Sequence, residues 1–242
     1  MVAVINYYPT EADALAYTNY ITGSTNTVIS AGGYNFWRIA SNSTGTSSQS
    51  ATYGVGSVLI NDGTYRVYPA IPCFKEGTQI LCLVNGQETY KSIETVKPGT
   101  LVKTSLDGYK PVALIASGSI QNPRDSARIE SRLYKCSPRD YPELTEDLYI
   151  TGSHAILVDH LTPSERAQTS KILGRIFVTD RKYRLPACVD ERAQPWNSAG
   201  HYPIWHLALE HTDPNMNYGI YANGLLVETC PISTLKSRSN LR

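Results

Sequence analysis

From residue 56 onward, short apolar runs recur along the chain, each closed by turn-forming residues. The runs read SVLI, TYRVYPAI, TQILCLV, LVKTSL, PVALIASGSI, DLYITGSHAILVD and RIFVTD. Asn61-Asp62-Gly63, Asn85-Gly86, Pro98-Gly99 and Asp107-Gly108 separate several of them. Runs of this length, rich in β-branched and aromatic residues and bounded by Gly, Pro, Asn and Asp, predict strands joined by tight turns. The expected architecture is an all-β domain of many short strands. One segment, PSERAQTSKILG, breaks the pattern and predicts a helix opened by Pro163-Ser164 and closed by Gly174. The chain shows no fixed-period repeat.

The N-terminal part reads differently. PTEADALAYTNY, residues 9–20, predicts a short helix: Pro9 lies near its start, Glu11 and Asp13 favour its positive end, and Ala12, Leu15, Ala16 and Tyr20 share roughly one face. Residues 41–54, SNSTGTSSQSATYG, are polar and read as a loop or linker. The main boundary falls near Pro72-Cys73. It divides an N-terminal arm or small β segment (1–72) from a continuous β pattern (73–230) and a C-terminal tail (231–242).

Composition sharpens this in three ways. Tyrosine outnumbers the other aromatics, 17 against 3 Phe and 3 Trp, which suits pleated half-buried surfaces. The net charge is +1 with dispersed basic residues, so no nucleic-acid footprint is expected. No apolar run approaches the roughly 18–20 residues of a membrane span, and MVAVINYYPTEADALAY lacks the basic and apolar regions of a secretory signal.

The five cysteines, Cys73, Cys82, Cys136, Cys188 and Cys230, are widely spaced and form no C-x-x-C pair. They predict free thiols in a reducing compartment rather than a disulfide scaffold or a zinc site. His160, His201, His206 and His211 with Cys188 show no recognised ligand spacing, and no cofactor motif is present, so neither metal nor cofactor is expected.

Two short stretches carry candidate chemistry. In IPCFKEGTQIL, Cys73 stands between a proline and a strand. A thiol there is within reach of the preceding peptide carbonyl, so the acyl group can move from nitrogen to sulfur. Amide resonance opposes the shift, since twisting ω by ~12° already costs about 1 kcal/mol. A host fold must then supply strain, a proton for the leaving nitrogen and stabilisation of the oxyanion. The alternative is a buried structural cysteine. In YITGSHAILVD, Thr151 and His154 form a T-x-x-H pattern on a turn before an apolar strand, suited to protonating a leaving amine. A histidine that is merely hydrogen-bonded remains the alternative.

Taken in order, PCFKEGTQI with KSIETVKPGTLVKTSLDG, then TGSHAILV, then WHLALEHTDPNMNYGIYANGLLVETC resemble the sequence blocks of the Hint family. This is the self-processing domain shared by hedgehog proteins and inteins. The resemblance spans residues 72–230 and looks closest to members encoded by large DNA viruses of algae and protists. It implies a horseshoe-like all-β fold with pseudo-two-fold symmetry. It further implies that Cys73 is the nucleophile, Pro72 supplies the scissile carbonyl, His154 protonates the scissile nitrogen, Thr151 positions that amide and His206 assists.

The chain departs from the family at its closing strand. Where an intein carries His-Asn and its next nucleophile, this sequence has Glu228, Thr229 and Cys230. Thr229 has no carboxamide to cyclise, so splicing is not expected, while Cys230 stands as a possible second nucleophile or a packed strand end. Pro72 also crowds the attacked carbonyl. The leading expectation is cleavage at Pro72-Cys73 with water or an unknown nucleophile as acceptor. A sterol acceptor is not expected, because no recognition extension follows residue 230. The alternative is a non-cleaving domain in a structural role, such as a virion component. Its first 40 residues would dock a protein partner through Tyr7, Tyr8, Tyr34, Phe36 and Trp37, and its location would be the host cytoplasm and then the virion.

Overall fold

The computed structural model describes residues 72–237 except 125 and 127, and before them the backbone of five strands. The helix expected over 9–20, Tyr34, and all but Ser41 of the polar segment 41–54 lie outside the described residues. The chain forms two compact units, Met1–Ala70 and Ile71–Arg242.

The first unit contains β1 (Val4–Tyr8), β2 (Ile21–Ser24), β3 (Phe36–Ser41), β4 (Val58–Asn61) and β5 (Tyr65–Tyr68), paired in the order β2-β1-β3-β4-β5. All its pairings are antiparallel. Tyr7 and Tyr8 of β1 stand in register opposite Trp37 and Phe36 of β3. Four of the aromatics expected to meet a partner therefore occupy neighbouring strands of one sheet.

In the second unit the strands in chain order are β6 (Phe74–Lys75), β7 (Gln79–Val84), β8 (Gln87–Ser92), β9 (Leu101–Lys103), β10 (Tyr109–Asn122), β11 (Leu133–Cys136) and β12 (Leu148–Thr151). They continue with β13 (Ala155–Val158), β14 (Val178–Thr179), β15 (Lys182–Pro186), β16 (Gln194–Pro195), β17 (Gly200–Leu209), β18 (Gly219–Ala222) and β19 (Leu225–Glu228). Hydrogen bonding links all 14 into one antiparallel sheet, running β14-β15-β13-β19-β18-β7-β9-β10-β17-β6-β12-β11-β16, with β8 on β7. The unit is all-β, as the strand pattern predicts.

Local chemistry accounts for many of its turns. Asn85 and Gly86, between β7 and β8, both have positive φ, 50° and 80°. That is the backbone of a type I′ hairpin turn, whose twist suits the flanking strands. Asn223 and Gly224 do the same between β18 and β19, at 48° and 99°. The predicted helix is α1 (Pro163–Leu173). Thr162 and Glu165 form a capping box, Pro163 opens the first turn, and Gly174 ends the helix in the left-handed conformation. RIFVTD contributes only the two residues of β14. The segment expected to be a plain tail carries a second helix, α2 (Ile232–Ser237), whose Leu235 is buried against Ala208 and Cys230.

The long strands β10 and β17 pair from Val112↔Leu209 to Asn122↔Gly200 and form the backbone of the sheet. Two-residue β6 lies between β17 and β12, through Trp205↔Phe74 and Ile150↔Phe74. Phe74, Ile80, Val102, Tyr134, Ile150, Ile156, Leu207 and Val227 belong to one continuous core. Burial of that apolar set orders the strands, and β6 carries the residue before it, Cys73, into the interior.

Candidate active site

Thr151 ends β12 and grips the backbone of Cys73 at two points. Its N–H donates to the Cys73 carbonyl at 2.9 Å, and its Oγ1 accepts from the Cys73 N–H at 2.8 Å. That N–H belongs to the peptide bond joining Pro72 to Cys73. The Cys73 side chain has no solvent exposure.

The turn after Thr151 is built by close approach. His154 N–H donates to Thr151 O at 2.9 Å, Gly152 N–H to Arg132 O at 2.8 Å, and Ser153 N–H to Glu130 O at 3.2 Å. A Cβ on Gly152 would lie 2.4 Å from Ile129 O and 2.7 Å from Tyr134 Cε2, so only glycine fits beneath residues 129–132. This geometry brings His154 back toward Phe74 of β6.

His154 and His206 flank Phe74. The ring centroids of His154 and Phe74 are 4.3 Å apart, those of His206 and Phe74 5.6 Å, and the two imidazoles 5.1 Å. Both histidines are completely buried. Among the described residues, neither ring makes a hydrogen bond of ordinary geometry. Burial pushes His154 down to about 3, against weak support for the charged ring from the backbone of Glu228 and Cys73. Burial also drives His206 well down, and His154 beside it adds to the effect. At neutral pH both rings are therefore uncharged bases. The Cys73 thiol is raised well above the usual range by burial and, secondarily, by Cys230 nearby. Cys230 is itself buried, packed with Ala208 and Leu235, and its thiol is raised by burial and then by Glu228.

The remaining closing-strand residues are held in packing. Glu228 Oε1 accepts from Ala155 N–H at 3.1 Å, and its Oε2 pairs with Arg184 Nη1 at 3.1 Å. Asn217 Nδ2 donates to Glu228 Oε2 at 3.4 Å. Burial raises the Glu228 carboxyl, opposed first by Arg184. Thr229 Oγ1 accepts from Tyr218 N–H at 2.9 Å.

The structure thus gathers Cys73, Thr151, His154 and His206 around Phe74 and sets Cys230 near Cys73, while Pro72 is half-buried. Two features escape sequence reading. Asp190, although it is followed by the charged Glu191 and Arg192, is only 1% exposed. It is paired with Arg192 Nη2 at 2.7 Å, which allows a carboxylate to stay inside. Arg128 donates to four backbone carbonyls of the same loop, those of Ala187, Cys188, Asp190 and Ala193. No local motif signals the second, because Arg128 and its partners lie some sixty residues apart. Among the described residues, no three His, Cys, Asp or Glu side chains are grouped to hold a metal ion.

No protein-family model matches the chain, and no curated protein matches its sequence. Among solved structures, the chain is similar to the crystal structure of a DnaB intein from Synechocystis sp. PCC 6803. The identity is 12%, with 66% of this chain and 99% of that chain covered, and the TM-score is 0.37.

Proposed function

We propose that residues 73–230 are a Hint-type autoprocessing domain that cleaves its own chain once, between Pro72 and Cys73, without splicing. The observation that carries this reading is the N–H of that peptide bond donating to Thr151 Oγ1 at 2.8 Å, beside the buried neutral imidazoles of His154 and His206. Cys73 sulfur attacks the Pro72 carbonyl carbon. A neutral imidazole accepts the thiol proton as the C–S bond forms, avoiding a free thiolate in an apolar site. The C–N bond then breaks, His154 returns the proton to the departing nitrogen, and Thr151 holds that nitrogen in place. An external nucleophile or water releases residues 1–72 from the thioester. Glu228 and Thr229 are engaged in packing, which agrees with the absence of a splicing step.

One observation favours a second reading, a domain of the same fold that never cleaves. The Cys73 thiol is fully buried and held protonated, and the carbonyl preceding it belongs to a proline. Its assignment to a virion rests on the sequence resemblance alone.

Intact-mass measurement of the purified chain at neutral pH, with and without dithiothreitol or hydroxylamine, separates the two. Autoprocessing yields fragments split before Cys73, accelerated by thiol and abolished in Cys73→Ala. Thr151→Val slows cleavage roughly 100-fold, the usual scale for a group assisting proton transfer. A single unchanged mass over days at several pH values decides for the non-cleaving domain.

A further inference from the structure

Cys73 does not belong to the main core. It lies in a small separate cluster with Ile120, Leu133 and Ile204, against which the half-buried rings of Trp196 and Tyr202 pack. Among the described residues, those two rings are the cluster's partly exposed side, so an acceptor approaching Cys73 from that side passes them. Trp196 sits between two tyrosines, with ring centroids 4.8 Å from Tyr149 and 4.6 Å from Tyr202. Lys75, two residues after the nucleophile, places its Nζ 5.6 Å from the Tyr149 ring and 6.0 Å from each of the other two. Ser198 Oγ and the Tyr202 hydroxyl, 2.7 Å apart, brace the far edge.

Among the described residues, the charge of Lys75 is left uncompensated. Its only hydrogen bond among those residues runs to the Glu76 backbone carbonyl at 3.4 Å, and none of their carboxylates pairs with it. Three rings hold the ammonium by cation–π attraction but do not neutralise it. A fixed cation beside flat apolar surface is complementary to a small anion on a short apolar stem.

We infer that Lys75, Tyr149, Trp196 and Tyr202 form a recognition site for the acyl acceptor, selecting a small thiol that carries a carboxylate. The inference rests on the autoprocessing reading and adds the class of its co-substrate. The carboxylate pairs with Lys75 while the stem lies along Trp196. The acceptor's thiolate attacks the acyl carbon of Pro72. A new C–S bond forms as the bond to Cys73 breaks, and the Cys73 thiolate takes up the proton that the acceptor released. No oxidant or reductant enters.

The test compares thioester cleavage of the full chain by 3-mercaptopropionate, 2-mercaptoethanol and 2-aminoethanethiol, read by intact mass, in the wild type and in Lys75→Gln and Lys75→Arg. Each thiol is referred to its own rate across the proteins, so differences in intrinsic nucleophilicity cancel. The expected result is a roughly fivefold fall in the preference for 3-mercaptopropionate over 2-mercaptoethanol in Lys75→Gln, kept in Lys75→Arg. In the wild type the same preference shrinks as salt rises from 0.01 M to 1 M, a direct measure that needs no variant. Cleavage by all three thiols with the same ratios in every protein and at every salt overturns this inference and leaves autoprocessing standing. Absence of thiol-dependent cleavage in the wild type overturns both.

Discussion

His154 and His206 are two titratable rings in a space that admits no charge, and folding carries a pH signature from them. The folded pKa of His154, about 3, lies below the roughly 6.5 of an unfolded histidine, and that of His206 is displaced in the same direction. Below about pH 6.5 the unfolded chain binds protons that the folded state refuses. The stability is therefore complete above that pH and declines as pH falls towards 3, by up to about 1.4 kcal/mol per unit for each ring. Glu130, raised to about 7 by burial, and Glu228, also raised by burial, work the other way and oppose the slope. Urea denaturation from pH 7.5 to 5.5 is expected to show that His206→Phe gains stability relative to the wild type as pH falls, because it lacks one of the two opposed protonations. Equal slopes in the two proteins would mean that His206 is not held neutral.

At the scale of elements, the turn between β12 and β13 does most to position the site. It reverses the chain in three residues and leaves Thr151 facing the Cys73 backbone and His154 facing Phe74. Its tolerance is set by Gly152, pressed under backbone that cannot move as a flexible side chain can. Gly152→Ala is expected to cost about 1–3 kcal/mol by overpacking, measured by urea unfolding. Its cleavage rate is expected to fall further than Thr151→Val alone causes, because His154 shifts together with Thr151. A stable Gly152→Ala protein with unchanged cleavage would show that residues 129–132 yield readily and do not shape the turn.

At the scale of the unit, residues distant in sequence form the roof of the site. Arg128 ties the segment before β11 to the loop after β15, donating to the Cys188 carbonyl at 2.9 Å and to that of Asp190 at 2.6 Å. The same segment bonds back to Gly152 and Ser153. Arg128→Met removes the donors and strands part of their acceptors, at an expected cost of about 2 kcal/mol. Hydrogen exchange is expected to quicken at the Gly152 and Ser153 amides while α1 is unaffected. Equal acceleration across the unit would assign Arg128 to general stability instead.

What the sequence by itself determined is local. The strands and their tight turns follow from alternating apolar runs and from Asn-Gly pairs, and α1 follows from a capping box and a closing glycine, all readable within a few residues. The candidate nucleophile and the T-x-x-H pattern were legible as residue types in an order. Only the tertiary structure decided what those residues are. Thr151 receives the Cys73 N–H because β6 inserts between β12 and β17, and both imidazoles are neutral because the core closes over them. Asp190 is buried because Arg192 folds back onto it. Glu228 serves as a clamp to Arg184 and Ala155, and α2 forms where a tail was expected. Lys75 of β6 meets three rings contributed by β12, β17 and the residue just after β16. Strand periodicity tells which face a side chain takes. It does not tell which distant strand supplies its neighbour, and burial, pairing and protonation all depend on that neighbour.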